Sequence, residues 1–249
     1  MKKRLDLILT ERGLAPSRER ARALVMENKV LLNGMPVDKA GHPVDPSAEI
    51  TVKETEVPYV SRGGIKLSYA LDEFKIDVTG KTAMDIGAST GGFTDCLLKR
   101  GASMVYAVDV GYGQLAWGLR NDPRVIPIER TNIRYLERDK IPCAIDIAVV
   151  DVSFISLRLV LPAVLRFLLP DGVVVALIKP QFEVGKGEVG KGGIVRDEIK
   201  RLRVVDEMQE FFCSAGLVVS GVCESPIKGQ KGNVEYFIHS SLAATSLLT

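Results

Sequence analysis

The sequence predicts an α/β protein: a mostly parallel, doubly wound sheet over most of the chain, with a small α+β domain in front of it. Three observations carry this. From Thr82 onward, short apolar runs of strand length alternate with helix-like stretches. A glycine turn, Gly87 to Gly92, joins the first of those runs to a helix start. Residues 1–60 follow another pattern, with two short helices, a tight hairpin signal and a cluster of cations. With 249 residues and 46% hydrophobic side chains, the chain can bury a real core in one large domain, or in a medium one with an attachment.

Composition excludes several classes. Cys96, Cys143, Cys213 and Cys223 lie far apart with no C-x-x-C pair, so neither a metal site nor a disulfide framework is expected. The N-terminus turns charged too early for a signal peptide, and no apolar run approaches the ~18 residues of a membrane span. A cytoplasmic protein without a membrane partner is expected. Net charge is only +2, so a nucleic-acid partner must be argued from where the charge sits.

Arg4 to Arg12 reads as a short helix closed by Gly13, and Ser17 as the N-cap of a second helix running to about Lys29. Residues 1–30 hold eight cationic against four acidic side chains, which suits a phosphate-binding face. A solvated charged helix on a capping domain is the alternative. Val30 to Leu32, Asn33-Gly34 and Met35 to Val37 form a hairpin signal, and Ile50 to Lys53 a further strand. The run Ser17-Arg18-x-x-Ala21-x-x-Leu24-Val25 with Val30-x-Leu32-Asn33-Gly34 resembles the RNA-binding module named after small-subunit ribosomal protein S-four. That resemblance implies an RNA partner and makes Arg4, Arg18, Arg20, Arg22 and Lys29 its candidate contacts, with Arg62 beyond the linker. Asn28 stands where that family usually has a helix-ending glycine; asparagine tolerates the left-handed conformation.

Thr55 to Val60, interrupted by Pro58, reads as a linker, giving domains 1–60 and 61–249. Ser61-Arg62-Gly63-Gly64 then precedes a helix from Ile65 to Phe74 with Leu67, Ala70, Leu71 and Phe74 on one face. Lys66 falls off that face in the first turn, where the helix dipole disfavours it; it is either solvated or held there for use.

Strands are expected at Thr82–Ile86, Val105–Val110, Val125–Ile128, Ile145–Val152, Val173–Ile178, Leu217–Cys223 and Glu235–His239, with a long helix from Asp197 to Ala215. Doubly wound sheets bind ligands at the carboxyl ends of their strands, where Asp85, Asp109, Asp151 and Lys179 fall. In the turn, Asp85, Gly87, Ala88, Ser89, Thr90, Gly91, Gly92 and Phe93 are the candidate cofactor grip. The dinucleotide pattern G-x-G-x-x-G fails at Ser89, which lowers the nicotinamide reading. Asp109, about 20 residues on, suits the hydroxyls of a ribose. Asn132 is assigned to an adenine edge. A strand–turn–helix corner without a ligand, and a strand-end aspartate that only turns the chain, are the plain alternatives.

Asp85-x-Gly87-x-x-x-Gly91-Gly92 with Asp109 after the next strand resembles S-adenosylmethionine-dependent methyltransferases with a Rossmann-like sheet. Further motifs, Ser61-Arg-Gly-Gly-Ile-Lys66, Val150-Asp151-Val-Ser-Phe, Ile178-Lys179-Pro-Gln-Phe-Glu183 and Asn233-Val-Glu235-Tyr, are similar to the FtsJ class of RNA ribose methyltransferases, whose Lys-Asp-Lys-Glu tetrad has this order. With the S-four-like N-terminus, nearly the whole chain is similar to the TlyA or hemolysin A family of ribosomal RNA cytidine 2′-O-methyltransferases. The resemblance implies S-adenosylmethionine as cofactor, bound also by Asp151; ribosomal RNA or ribosomal subunits as partner; and Lys66, Asp151, Lys179 and Glu235 as catalytic residues. The chain fits a monomer or a homodimer.

The chemistry of those four residue types agrees. A ribose hydroxyl is a weak nucleophile, so it must be aligned and its proton given somewhere to go. Free lysine titrates near ~10.4, so Lys179 acts as a base only if burial or a second cation such as Lys66 lowers it; Asp151 and Glu235 pull the other way. Lys179 either takes the proton or orients the oxygen and stabilises its charge. Asp151-Val-Ser-Phe154 stands where base-nitrogen methyltransferases carry Asn-Pro-Pro-Tyr, which favours ribose oxygen. The glycine-lysine loops 183–193 and 228–232 suit RNA entry. A non-catalytic assembly factor and a membrane-active hemolysin are the competing readings.

Overall fold

The computed structural model describes residues 2–15, 17–26, 28–52, 58–185 and 187–243. The chain divides into two units, Met1–Val57 and Pro58–Thr249. In the first, β1 (Lys3–Arg4), α1 (Leu5–Glu11) and α2 (Arg18–Met26) precede β2 (Val30–Leu32), β3 (Met35–Pro36), β4 (Pro43–Val44) and β5 (Ile50–Val52). Strands β3-β2-β5 form an antiparallel sheet, and β1 pairs with β4. Leu5, Ile8, Leu9, Ala21, Val25 and Val30 make its core. The β2–β3 hairpin turns through Asn33 at φ 49° and Gly34 at φ 79°, as Asn-Gly suggested.

The second helix stops three residues short of the expected Lys29. Asn28 takes φ 55°, its N–H donates to Val25 O, and Lys29 N–H donates to Leu24 O, the paired bonds of a left-handed helix end. The linker expected at 55–60 lies outside the described residues except for 58–60. There Val60 N–H donates to the Asp95 carboxylate at 2.8 Å and Lys99 to Pro58 O at 2.6 Å.

In the second unit the elements are α3 (Arg62–Glu73), β6 (Thr82–Ile86), α4 (Gly92–Lys99), β7 (Met104–Val108), α5 (Trp117–Arg120), β8 (Val125–Ile128), β9 (Ile145–Val150), α6 (Leu157–Leu165), β10 (Leu168–Ile178), α7 (Pro180–Glu183), α8 (Glu198–Ser214), β11 (Leu217–Glu224) and β12 (Tyr236–Leu242). They build one seven-stranded sheet in the order β11-β12-β10-β9-β6-β7-β8. Five neighbouring strands are parallel, and β11 and β12 close one edge antiparallel. Pro127 is tolerated because β8 is the other edge. The order reverses between β6 and β9, and there a ligand crevice opens in such sheets.

Strand alternation sorts the core into two layers. Met84, Ile86, Tyr106, Val108, Ala148, Val150, Val174, Ala176 and Ile178 face α6 and α8; Ala83, Val105, Ala107, Ile147, Val149, Val175, Leu177 and Phe237 face α3 and α4. With both faces covered, the central strands read as continuous apolar runs.

Replacing Asn28 by glycine is expected to keep or slightly raise the protection of residues 18–32 in hydrogen exchange. Asn28→Val is expected to lose about 1–2 kcal/mol of it, since a branched side chain resists the left-handed turn.

Candidate active site at the carboxyl edge of the sheet

The glycine turn leaves β6 with φ 84° at Gly87 and φ 93° at Gly91. A Cβ on Gly87 would overlap the carbonyl oxygen of Asp151, so glycine here lets the ends of β6 and β9 meet at the switch point. A Cβ on Gly91 would overlap the side chains of Leu115 and Leu119. The missing side chain at Gly91 therefore makes room for the protein's own packing behind the turn. Ser89, where a dinucleotide site would have glycine, still takes φ 48°.

Asp85 is wholly buried below this turn, on the α4 side of β6, and its Oδ2 accepts from the Thr94 N–H (2.9 Å) and hydroxyl (2.7 Å). Among the described residues its Oδ1 has no hydrogen-bond partner. Burial, reinforced by the Asp151 and Asp109 charges, pushes its carboxyl up to about 7. Asp109 follows β7 directly; its Oδ2 accepts from Ser89 N–H at 2.7 Å and its Oδ1 from Gly111 N–H at 2.6 Å. Each oxygen keeps a further lone pair for a diol.

A shallow, open cleft lies beside Asp109, lined by Ala88, Ser89, Ala107, Gly111, Gln114, Leu115, Pro127 and Glu129. Thr90, Gly92 and Phe93 are not in this lining, and neither is Asn132, whose Oδ1 accepts from Arg134 N–H at 3.1 Å and so caps a turn. Gln114 and Glu129 were not anticipated. Gln114 Oε1 accepts from the Ser89 hydroxyl at 3.2 Å; Glu129 accepts from Gly113 N–H at 2.8 Å and pairs with Arg120. Their places depend on loop contacts that periodicity does not carry.

The tetrad is brought together by the same alternation that sorts the core. Asp151 continues the α3/α4 face of Ile147 and Val149, Lys179 that of Val175 and Leu177, and Glu235 that of Phe237. Ile178 stands opposite Tyr236, so the register continued by one residue sets Lys179 opposite Glu235. Lys66 arrives from α3 and pairs with Glu235 at 2.6 Å, both side chains at most 10% exposed. Lys179 meets Asp151 Oδ1 at 2.6 Å, yet donates its hydrogen bond to the Ser153 hydroxyl at 2.9 Å. Asp151 therefore holds Lys179 as an ion pair beside that hydrogen bond. The sequence reading of Lys66 needs correction: α3 begins at Arg62, three residues earlier than expected, so Lys66 lies in its second turn on the buried face. Its charge is offset by a carboxylate distant in sequence.

Two loops frame these pairs. After β9, Phe154 takes φ 64° and is 90% exposed, its ring centroid 5.0 Å from that of Phe182. Glu183 accepts from the Ser156 hydroxyl (2.6 Å) and Leu157 N–H (2.8 Å), capping α6 and tying the Asp151 loop to the Lys179 loop; burial raises its carboxyl. Asn233, also buried, accepts from Val195 N–H at 3.1 Å and donates to Gly193 O at 2.9 Å, joining the two glycine-lysine loops.

In the N-terminal unit, Arg4, Arg18 and Arg22 converge on the buried Asp6. The side chain of Arg20 lies outside the described residues, Lys29 is half-buried at the α2 end, and Arg62 is exposed at the start of α3.

The chain matches the FtsJ-like methyltransferase family over residues 59–242 and the S4 domain over 3–50. It is 49% identical, over 94% of its length and 88% of the relative's, to the 16S/23S rRNA (cytidine-2′-O)-methyltransferase TlyA of Mycobacterium tuberculosis. It is 43% identical to Hemolysin A of Brachyspira hyodysenteriae, over 95% of this chain and 98% of that one. A solved structure named as a hemolysin of Streptococcus thermophilus superposes with TM-score 0.78 at 44% identity, covering 97% and 89% of the two chains.

Because Asp85 holds a proton in the folded chain that the unfolded chain has already released, its contribution is fully present below the unfolded carboxylate range and is lost as pH rises to about 7. Asp85→Asn, which keeps an acceptor for Thr94, is expected to gain melting temperature relative to the parent between pH 4 and pH 8. Parallel melting curves of the two chains across that range would remove the assignment.

Proposed function

The chain belongs to the FtsJ-like methyltransferase family, and we propose that it is an S-adenosylmethionine-dependent 2′-O-methyltransferase acting on the ribose of cytidine in ribosomal RNA, of the small subunit, the large subunit or both. One observation carries the reading of the site: two lysine–carboxylate pairs, Lys66–Glu235 and Lys179–Asp151, side by side at the switch-point edge of the sheet.

The residues present fit the cofactor. Asp109 offers acceptors to a ribose diol beside an open cleft, and the neighbouring charges of Asp85, Asp109 and Asp151 would favour a cationic ligand at the turn. Bound there, S-adenosylmethionine supplies an electrophilic methyl group on sulfur. A positive ligand also favours the ionised form of Asp85, so cofactor affinity is expected to rise with pH through about 7.

The chain's own residues do the rest. Lys179, held by the Ser153 hydroxyl and the Asp151 charge, is the group set to meet the target 2′-oxygen and stabilise the charge that develops there. Lys66 and Glu235 fix each other; removing either partner of such a buried pair leaves an uncompensated charge at a cost of about 3–5 kcal/mol. Phe154, exposed and next in sequence to the Ser153 that holds Lys179, offers a face on which a splayed base can stack. Arg4, Arg18, Arg20, Arg22, Lys29 and Arg62 supply phosphate contacts, with residues 1–60 holding the RNA and 61–249 performing the transfer. Two relatives bear hemolysin names; among the described residues no helix is long and apolar enough to cross a membrane.

Ribosomal RNA incubated with the protein and labelled cofactor is expected to gain 2′-O-methylcytidine, read by mass spectrometry of nuclease digests. Lys179→Ala is expected to lower the single-turnover rate by roughly two to four decades with RNA and cofactor affinity near the parent values. Lys179→Arg should fail too, because a guanidinium fork does not replace a point contact. Transfer within a few-fold of the parent would take Lys179 out of the chemistry.

A further inference from the structure

In the N-terminal unit, three arginines share one carboxylate. Asp6, in the first turn of α1 and fully buried, accepts from Arg4 Nε and Nη2 at 3.0 Å each, and from Arg18 Nε and Arg22 Nε at 3.1 Å each. The Arg4 hydrogen bonds, helped by those from Arg22 and Arg18, hold its carboxyl well below the usual carboxylate range although burial opposes this.

One arginine would suffice to compensate a buried aspartate. Arg18 and Arg22 are neighbours one turn apart on α2, a like-charge spacing that costs helix stability by itself. The three side chains remain 42–49% exposed, unlike the carboxylate they surround. Arg18 and Arg22 meet Asp6 through Nε, and a guanidinium has two further nitrogens with which it can donate. Glu19, which also feels the charges of Arg22 and Arg18, accepts from its own backbone N–H and the Ser17 hydroxyl.

We propose that Asp6 is the template of an anion clamp: it fixes the guanidiniums of Arg4, Arg18 and Arg22 as a preformed receptor for the phosphodiester backbone of RNA, so their planar forks, beyond their charge, set the affinity. Guanidinium forks match phosphate oxygens bidentately, and a buried anchor removes the side-chain freedom that binding would otherwise have to freeze. Asp6 is a positioning residue; the arginines make the contact. The inference rests on the reading of this unit as RNA-binding.

The test measures binding of the full chain to end-labelled, deproteinised ribosomal RNA over a salt titration, with circular dichroism to follow folding. Arg18→Ala/Arg22→Ala is expected to weaken binding and to flatten the log–log salt dependence by about 1.4, roughly 0.7 for each phosphate contact on a single strand. Unchanged binding by that variant would end the RNA-binding reading itself. Arg18→Lys/Arg22→Lys keeps the charge and is expected to bind about tenfold more weakly with the slope of the parent. If alanine weakens binding but the lysine pair matches the parent, charge alone suffices and the template is overturned. Asp6→Asn separates the two accounts by sign. It adds a unit of positive charge, so charge alone would tighten binding, whereas loss of the template weakens it. Tighter binding by a folded Asp6→Asn chain would refute the proposal, and if that variant fails to fold the lysine pair decides.

Discussion

The carboxyl edge of the sheet depends on pairing two cations that are nearly removed from water, since an unpaired buried charge is costly. The structure answers with one carboxylate for each: Glu235 at 2.6 Å from Lys66 and Asp151 at 2.6 Å from Lys179. Such pairs add little net stability, since the cost of dehydrating the ions offsets their attraction. Their value is positional. Lys66 comes from a helix before the sheet and Glu235 from the residue just before its last strand, so the pair holds α3 against the start of β12.

The same economy of charge shapes the cofactor side. Asp85 receives no arginine or lysine; it receives a threonine, and so sits poised between protonated and ionised forms. The glycine turn above it is built for internal contacts, with Gly87 against the Asp151 carbonyl and Gly91 against Leu115 and Leu119. Those contacts determine the path of the backbone through the turn, and the missing side chains are taken up by the protein's own packing.

The strand–helix alternation, the N-terminal hairpin and the long α8 were all legible from period and turn residues, because each follows from local rules. The tetrad was legible as a motif, and its convergence was implicit in parity: Asp151, Lys179 and Glu235 each continue the strand face that packs on α3 and α4. What stayed hidden depended on contacts between distant segments. The early start of α3, which buries Lys66, and the cap that Glu183 places on α6 belong to that class. So does Phe154, whose left-handed backbone lets an aromatic ring stand in solvent, where sequence alone would bury it.

The two units meet opposite electrostatic problems with one device. At the sheet edge, carboxylates are matched one to one with lysines, so the charges there are local and directional. In the N-terminal unit a single carboxylate gathers three arginines, leaving an excess of cation at the surface. Balanced pairs suit a site that must align one oxygen atom, since a large net field would draw phosphates into it. Surplus charge suits a surface that must hold a polyanion, because affinity there grows with each counterion released. A carboxylate serves both ends because it can accept up to four hydrogen bonds: the number of cations arranged around it sets how much charge is left over.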